Sequence, residues 1–132
     1  MLCQITFAQQ VVIDQEIAPA FLSVVKDFRK LNICIDEQYG KDGIIVVEDP
    51  YLNKAYAAVA RGALVDDTIY IVYNCEMLNL TFQEQKFIML HEIAHEAGYF
   101  HWDSLLAMRL FSPEIPMYYE YALGEISNLL VK

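Results

Sequence analysis

The chain has 132 residues, 56% of them hydrophobic, and a formal net charge of −9; this length predicts one compact domain spanning residues 1–132. The acidic balance disfavours nucleic acid and anionic membranes as partners, because phosphate binding needs clustered Lys and Arg. No apolar run approaches the roughly 20 residues that span a bilayer, which argues against a transmembrane protein.

The first predicted elements are a strand over residues 3–8 and a helix over residues 15–31. The helix prediction depends on apolar residues that recur at helical spacing, with the basic residues largely on the other side. These apolar positions are Ile17, Phe21, Val24, Val25, Phe28 and Leu31. We therefore expect a helix with one buried face.

Four short β-rich runs follow, and turn-forming residues separate them. They cover residues 32–37, 43–48, 55–61 and 68–74. A strand, a helix and four further strands predict an α/β (α+β) fold in which a mixed, mostly parallel sheet of about five strands carries helices.

A second long helix is predicted to begin at Thr81. Thr81 stands three positions before Glu84, the spacing of a capping box, in which each side chain satisfies a free backbone amide. Gly98 supplies the left-handed residue that commonly ends a helix. The segment HEIAH, residues 91–95, then lies in the last two turns.

These turns carry the residues that indicate chemistry. His91 and His95 are four apart, so their imidazoles project from one helix face and can bind one ion. Glu92 adjoins the first ligand and can act as a general base, while Gly98 turns the chain so that His101 can return as a third ligand. Three protein nitrogens leave a fourth position for water, as in catalytic zinc sites.

Two simpler interpretations compete with a catalytic zinc site. In the first, the histidines are ordinary polar residues near a helix C-terminus, where imidazolium suits the helix dipole. That interpretation leaves Glu92, Gly98 and His101 unexplained. In the second, the domain binds metal but is inactive, although the residue suited to act as base is present.

The string HEIAHEAGYFH matches HExxHxxGxxH at every fixed position and resembles the signature of the metzincin clan of zinc peptidases. The layout of the chain is most similar to a minimal matrixin catalytic domain, in which a strand, a helix and further strands precede the zinc helix and a late helix closes the domain. The resemblance is specific over residues 90–101 and architectural elsewhere.

Metzincins also place a methionine in a turn beneath the zinc, and two residues here are candidates. Met108 has the spacing found in matrixins, and a closing helix predicted to start near Ser112 would already contain Met117. Met117 with Tyr119 is the alternative, since it resembles the Met-x-Tyr of astacins and serralysins. For either methionine, plain core packing is the simpler role.

The chain departs from the matrixin pattern at Trp102, where matrixins have a small residue. It also has no histidines for a second, structural zinc. Four acids could contribute to calcium binding, but no loop has EF-hand spacing and isolated surface acids are the simpler interpretation. They are Asp49, Asp66, Asp67 and Asp103.

The N-terminus lacks the basic region and long apolar stretch of a secretory signal peptide. Cys3, Cys34 and Cys75 are odd in number and widely spaced, unlike a disulfide scaffold or a CxxC knuckle. We expect mostly buried, reduced thiols in an intracellular protein, with a single disulfide as the alternative. An excised mature domain would instead be secreted.

The resulting functional prediction is a zinc-dependent endopeptidase that hydrolyses peptide bonds of a peptide or protein substrate by a metal-activated water, with Glu92 as general base. The resemblance implies that an extended substrate pairs with an edge strand, either residues 56–61 or the segment after them. The alternatives are a non-proteolytic, metzincin-shaped binding or virion-associated module, and a zinc hydrolase acting on another amide such as a cell-wall peptide.

Overall fold

The computed structural model describes residues 10–52, 58–61, 67–98 and 115–130, without the side chains of residues 115–118 and 129. Within these ranges the chain forms β1 (Gln10–Ile13), α1 (Ala18–Lys30), α2 (Ile35–Gln38), β2 (Gly43–Glu48), β3 (Ala58–Ala60), β4 (Thr68–Tyr73), a 3₁₀ helix (Cys75–Asn79), α3 (Phe82–Glu96) and α4 (Ile115–Leu130). The predicted strand over residues 3–8 lies outside the described residues.

The sheet has four strands in the described residues, in the order β1-β2-β4-β3. Strands β1, β2 and β4 are parallel, whereas β3 pairs antiparallel with β4 at the edge. Central strand β2 reads GIIVVE, the nearly continuous apolar run expected of a strand flanked by parallel neighbours. The predicted class, a mixed and mostly parallel sheet with helices, is confirmed.

Helix α1 has Pro19 in its first turn, where backbone N–H groups make no hydrogen bond within the helix, so the lack of an N–H in proline costs nothing. Its predicted apolar face is buried through Phe21, Val24, Val25 and Phe28. The helix ends at Lys30, and Asn32 then takes a left-handed φ of 62° while the amide of Ile33 bonds back to the carbonyl of Phe28.

The predicted strand over residues 32–37 is wrong. The left-handed Asn32 closes α1, and the chain then forms the short helix α2 at Ile35. Asp36 and Glu37 lie in its first turn, where negative charge suits the helix dipole, and Asp36 pairs with Arg29. Ile33 and Ile35 are therefore buried where α1 meets α2, and their alternating spacing does not indicate a strand.

Helix α3 lies at the centre of the hydrophobic core. It packs against α1, α4, β3 and β4, and every residue from Phe87 to Ala94 is buried. A helix with so little exposed surface in this stretch is fixed by packing on several sides. The HEIAH segment therefore belongs to one of the most constrained parts of the described fold.

Three helices also meet at a polar cluster that we call the tether cluster: Asp27 of α1, Lys86 of α3 and Tyr119 of α4. The Tyr119 hydroxyl donates to Asp27 Oδ2 at 2.7 Å, and Lys86 Nζ lies 2.8 Å from the same oxygen. Lys86 Nζ also sits 4.5 Å from the centre of the Tyr119 ring. The cluster thus fixes both flanking helices against α3.

The cysteine prediction requires correction. Cys34 is disulfide-bonded, and Cys75 is a free thiol that is exposed and not buried. Disulfides persist in oxidising compartments, so the cysteines do not support the predicted intracellular location. Among the described residues, no helix combines the length and apolarity needed to cross a membrane.

Candidate metal centre

Helix α3 begins with the predicted capping box. The amide of Glu84 donates to Thr81 Oγ1 at 3.2 Å, and the amide of Thr81 donates to Glu84 Oε1 at 3.0 Å. Two amides that the helix leaves without partners are satisfied in this way. This start fixes the phase of the helix, and hence the face on which His91 and His95 emerge.

The helix ends where the glycine predicts. Ala97 is the C-cap, and Gly98 has a φ of +98°, which is costly for residues with a Cβ. The amide of Gly98 bonds back to the carbonyl of His95 at 3.0 Å. The helical conformation therefore ends within three residues of His95.

His91 and His95 bring their imidazoles together on one side of α3. Their Nε2 atoms are 3.0 Å apart, and the ring planes are nearly perpendicular at 84°. His91 is only 3% exposed. Because the two Nε2 atoms lie this close together, both rings could bind a single ion.

Glu92 completes the group. Its Oε1 lies 3.9 Å from His91 Nε2, and the residue is 5% exposed. One candidate ligand atom from each of His91, Glu92 and His95 can be chosen so that all three lie within 4.8 Å of one another. In the described part of the chain, this His-Glu-His group is the one set of metal-binding side chains that could hold an ion.

The electrostatic environment of Glu92 is unusual. Burial raises the pKa of its carboxyl group, a hydrogen bond from the backbone amide of Ala60 lowers it, and the negative charge of Glu96 raises it, so that the pKa reaches about 8. A bound cation would act in the opposite direction. Carboxyl groups with pKa values near neutrality are suited to proton transfer.

Glu96 is a second buried acid, one helical turn beyond Glu92. Its Oε1 accepts a hydrogen bond of 3.0 Å from the amide of Tyr70 in β4. This bond fastens the final turn of α3 to β4.

Several predicted site residues fall outside the described ranges. They are the third ligand His101, the preferred methionine Met108, and Trp102, Asp66 and Asp103. The structure therefore brings together His91, His95 and Glu92 and leaves His101 and Met108 as predictions.

The alternative methionine, Met117, lies within α4, as the predicted start of the closing helix implies. Its partner Tyr119 is 2% exposed, and its hydroxyl donates to Asp27 in the tether cluster. Of the calcium candidates, Asp49 accepts a hydrogen bond from the amide of Tyr51 two residues on, a local turn contact.

Sequence reasoning missed two contacts of this site. The Ala60 amide that binds Glu92 is a backbone group, so no side-chain pattern marks it. Glu96 occupies a variable position of the motif, and its role depends on Tyr70, which is 26 residues away in sequence. The predicted edge strand over residues 55–61 does contain Ala60, and this was the one usable signal.

Comparisons of the chain with protein-family models, with curated proteins and with solved structures give no match. The functional argument therefore depends on the residues and on their geometry.

Proposed function

We propose that this protein is a zinc-dependent endopeptidase of the metzincin type, in which His91, His95 and His101 bind the metal and Glu92 is the general base. The observation that carries the proposal is the 3.0 Å approach of the His91 and His95 Nε2 atoms beside a buried Glu92. The chain sequence supports it, because these residues open a complete HExxHxxGxxH motif.

The donor set fits zinc. Two nitrogens bound at about 2.0 to 2.1 Å to one tetrahedral zinc lie roughly 3.3 Å apart, and the observed separation is 3.0 Å. Imidazole is a ligand that suits zinc, whereas calcium and magnesium prefer oxygen. Only a small displacement of the rings is therefore needed to bind zinc.

When bound, zinc supplies Lewis-acid chemistry, because it lowers the pKa of water and polarises a carbonyl oxygen. The chain itself supplies orientation and proton transfer. His91 and His95 emerge from a helix that is held by its cap and its packing, so their positions do not depend on substrate.

Glu92 is the residue that moves the proton. In the proposed reaction, its carboxylate accepts a proton from the attacking water and passes it to the leaving amine as the peptide bond breaks. Its burial excludes bulk solvent from the carboxylate, which strengthens its electrostatic interactions. Its Oε1 atom lies 3.9 Å from His91 Nε2, and this nearness to a proposed ligand supports its role as proton acceptor.

Strand β3 is the proposed substrate-binding edge. It lies at the end of the sheet order and packs against α3. An extended peptide that adds to such an edge gains main-chain hydrogen bonds while its scissile bond lies near the helix. This arrangement favours a peptide or protein substrate.

The test is hydrolysis by zinc-loaded protein of an unstructured protein and a peptide library, beside a peptidoglycan fragment. We expect cleavage of the peptides, loss of cleavage on chelation and recovery on addition of zinc. The matched control is the His91→Ala, His95→Ala, His101→Ala variant purified in the same way, which reports contaminating protease.

Cleavage of peptidoglycan alone would overturn the endopeptidase proposal in favour of a hydrolase acting on another amide. Stoichiometric zinc without cleavage of any substrate would support the binding module. Full zinc content in the triple histidine variant would overturn the ligand assignment.

A further inference from the structure

Core packing holds the two histidines of the candidate metal centre unequally. His91 is 3% exposed and lies in the stretch of α3 from Phe87 to Ala94, in which every residue is buried. His95 comes directly after that stretch and is only partly buried. It also lies in the last turn of the helix, where carbonyl groups lack partners within the helix and the ends fray. The position of His95 therefore depends on contacts beyond core packing.

Glu96 supplies such a contact. It is the last residue of α3 and directly follows His95, yet it is only 8% exposed. Its Oε1 atom accepts a hydrogen bond of 3.0 Å from the backbone amide of Tyr70. The residue next to His95 is therefore bonded to the sheet.

The strand that donates this bond lies inside the sheet. Strand β4 is between β2 and β3, and Tyr70 is paired with Ile45 of β2. On the β3 side, the carbonyl of Tyr70 accepts a hydrogen bond of 2.7 Å from the amide of Arg61. Neighbouring chain segments on both sides thus hold the backbone of Tyr70, and Glu96 is bonded to a fixed part of the fold.

We propose that Glu96 is a positioning residue of the metal centre: its bond to the Tyr70 amide holds the last turn of α3 against β4 and keeps His95 beside His91. The inference rests on the proposed function, in which both histidines bind zinc. Ligands that are held in place before the ion arrives lose less conformational freedom on binding, so the ion binds more tightly. In this role Glu96 acts through the backbone of α3.

Two substitutions separate the hydrogen bond from the rest of the side chain. Glu96→Met keeps the length of the side chain but removes the acceptor, whereas Glu96→Gln keeps an oxygen that accepts from the Tyr70 amide. We expect zinc affinity to fall about tenfold in Glu96→Met and to stay within about twofold of wild type in Glu96→Gln. Competition with a chelator of known affinity measures both.

Equal zinc affinities in wild type and Glu96→Met would overturn the proposal. An equal fall in Glu96→Met and Glu96→Gln would also overturn it, because the bond to Tyr70 is available in the second variant. Circular dichroism establishes that each variant is folded.

A contact that only stabilises α3 would not change the zinc site of the folded protein. Thr81→Ala provides this control, because it removes a hydrogen bond at the other end of the same helix. We expect Thr81→Ala to lower the stability and to keep zinc affinity within about twofold of wild type. An equal fall in affinity in Thr81→Ala and Glu96→Met would overturn the proposal, since any weakening of the helix would then be sufficient.

Amide hydrogen exchange tests the same bond in wild type, without a substitution that could prevent folding. If the bond from Tyr70 to Glu96 strengthens zinc binding about tenfold, zinc must stabilise that bond by the same factor, because such coupling is reciprocal. The Tyr70 amide should therefore exchange about tenfold more slowly with zinc than with chelator. The Asp49 amide, which donates to the carbonyl of Tyr73 at the other end of β4, should change less than about twofold.

Exchange at Tyr70 that zinc slows no more than exchange at Asp49 would overturn the positioning role. Zinc affinity and amide exchange are both independent of catalysis. A zinc-loaded wild type that cleaves no peptide would overturn the proposed function instead, and these two measurements would still decide the role of Glu96.

Discussion

Two acids that face helix α3 differ in electrostatic character: Asp27 of α1, which is partly buried, and Glu92 of α3, which is buried. At the start of this helix, burial raises the pKa of Asp27 in the tether cluster, but hydrogen bonds from Lys86 and Tyr119 and the charge of Lys86 outweigh it, so the pKa is lowered. Near its end, burial and the charge of Glu96 raise the pKa of Glu92 to about 8. One acid is compensated by the fold, and the other is left for a cation to compensate.

This difference separates a structural cluster from the proposed functional one. A charge that is paired and hydrogen-bonded adds specificity to packing. An acid whose pKa is raised by burial destabilises the folded state, and such acids are found mainly at functional sites. Lys86 of the tether cluster and Glu92 both belong to α3 but have different partners, so substitutions at the two places should have separable effects.

The largest expected effect is on zinc binding. His95→Ala removes one of the two proposed ligands that the structure brings together, and we expect zinc affinity to fall by at least about 100-fold. The stability of the chelated protein should change little, since the removed ring belongs to the metal group. A competition titration measures the affinity, and Lys86→Met, in the tether cluster, should bind zinc like wild type. An equal loss of zinc affinity in His95→Ala and Lys86→Met would show that the two clusters do not act separately.

The second prediction concerns pH and the metal-free protein. The pKa of Glu92 is raised in the folded state, so between pH about 4.5 and 8 the folded state holds a proton that the unfolded state has released. The free energy of unfolding should therefore fall by a few kcal/mol as pH rises through this window, and that loss should be absent in Glu92→Gln. Urea unfolding of both proteins with chelator measures it. If the free energy of unfolding changed with pH equally in wild type and Glu92→Gln, the result would contradict the raised pKa of Glu92.

Breaking the tether cluster should affect stability alone. Lys86→Met keeps the length of the side chain but removes the ammonium group, and we expect a loss of about 2 kcal/mol, typical of a hydrogen bond to a charged group. Lys26→Met makes the same change at an exposed position of α1 and should be nearly neutral. Urea denaturation compares them, and equal destabilisation would mean that the Asp27 contact contributes nothing specific.

The smallest expected effect is at the start of α3. Thr81→Ala removes one bond of the capping box, and we expect a loss of about 1 kcal/mol. Glu84→Gln retains an acceptor at the third helical position and should stay close to wild type, because Gln also completes the box. Thermal unfolding distinguishes the two variants. If Thr81→Ala did not change the stability, packing alone would determine where α3 begins.

Local chemistry explains what could be predicted from sequence. The start of α3 at Thr81, its end at Gly98 and the pairing of His91 with His95 all depend on residues within four positions of one another, and the structure agrees with each. The central strands were predictable for a similar reason, since their apolar runs are short and bounded by turn residues.

Long-range contacts explain what could not be predicted. The segment after α1 was predicted as a strand because Ile33 and Ile35 alternate with other residues, although Asn32 can take the left-handed conformation that ends a helix. The bond between Tyr119 and Asp27 joins residues 92 positions apart, and the Ala60 amide has no side-chain signature. These contacts form only when helices and strands pack.

The central claim is that Glu92 moves the proton and does not bind the metal, and one comparison tests it most directly. Zinc content and peptide turnover are measured on the same preparations of wild type, Glu92→Gln and Glu84→Gln, the last making the same chemical change at the exposed start of α3. We expect zinc to stay near wild type in all three, and turnover to fall by roughly 10² to 10⁴-fold in Glu92→Gln alone. Turnover by Glu92→Gln equal to wild type would contradict the account, and loss of zinc with activity would make Glu92 a ligand.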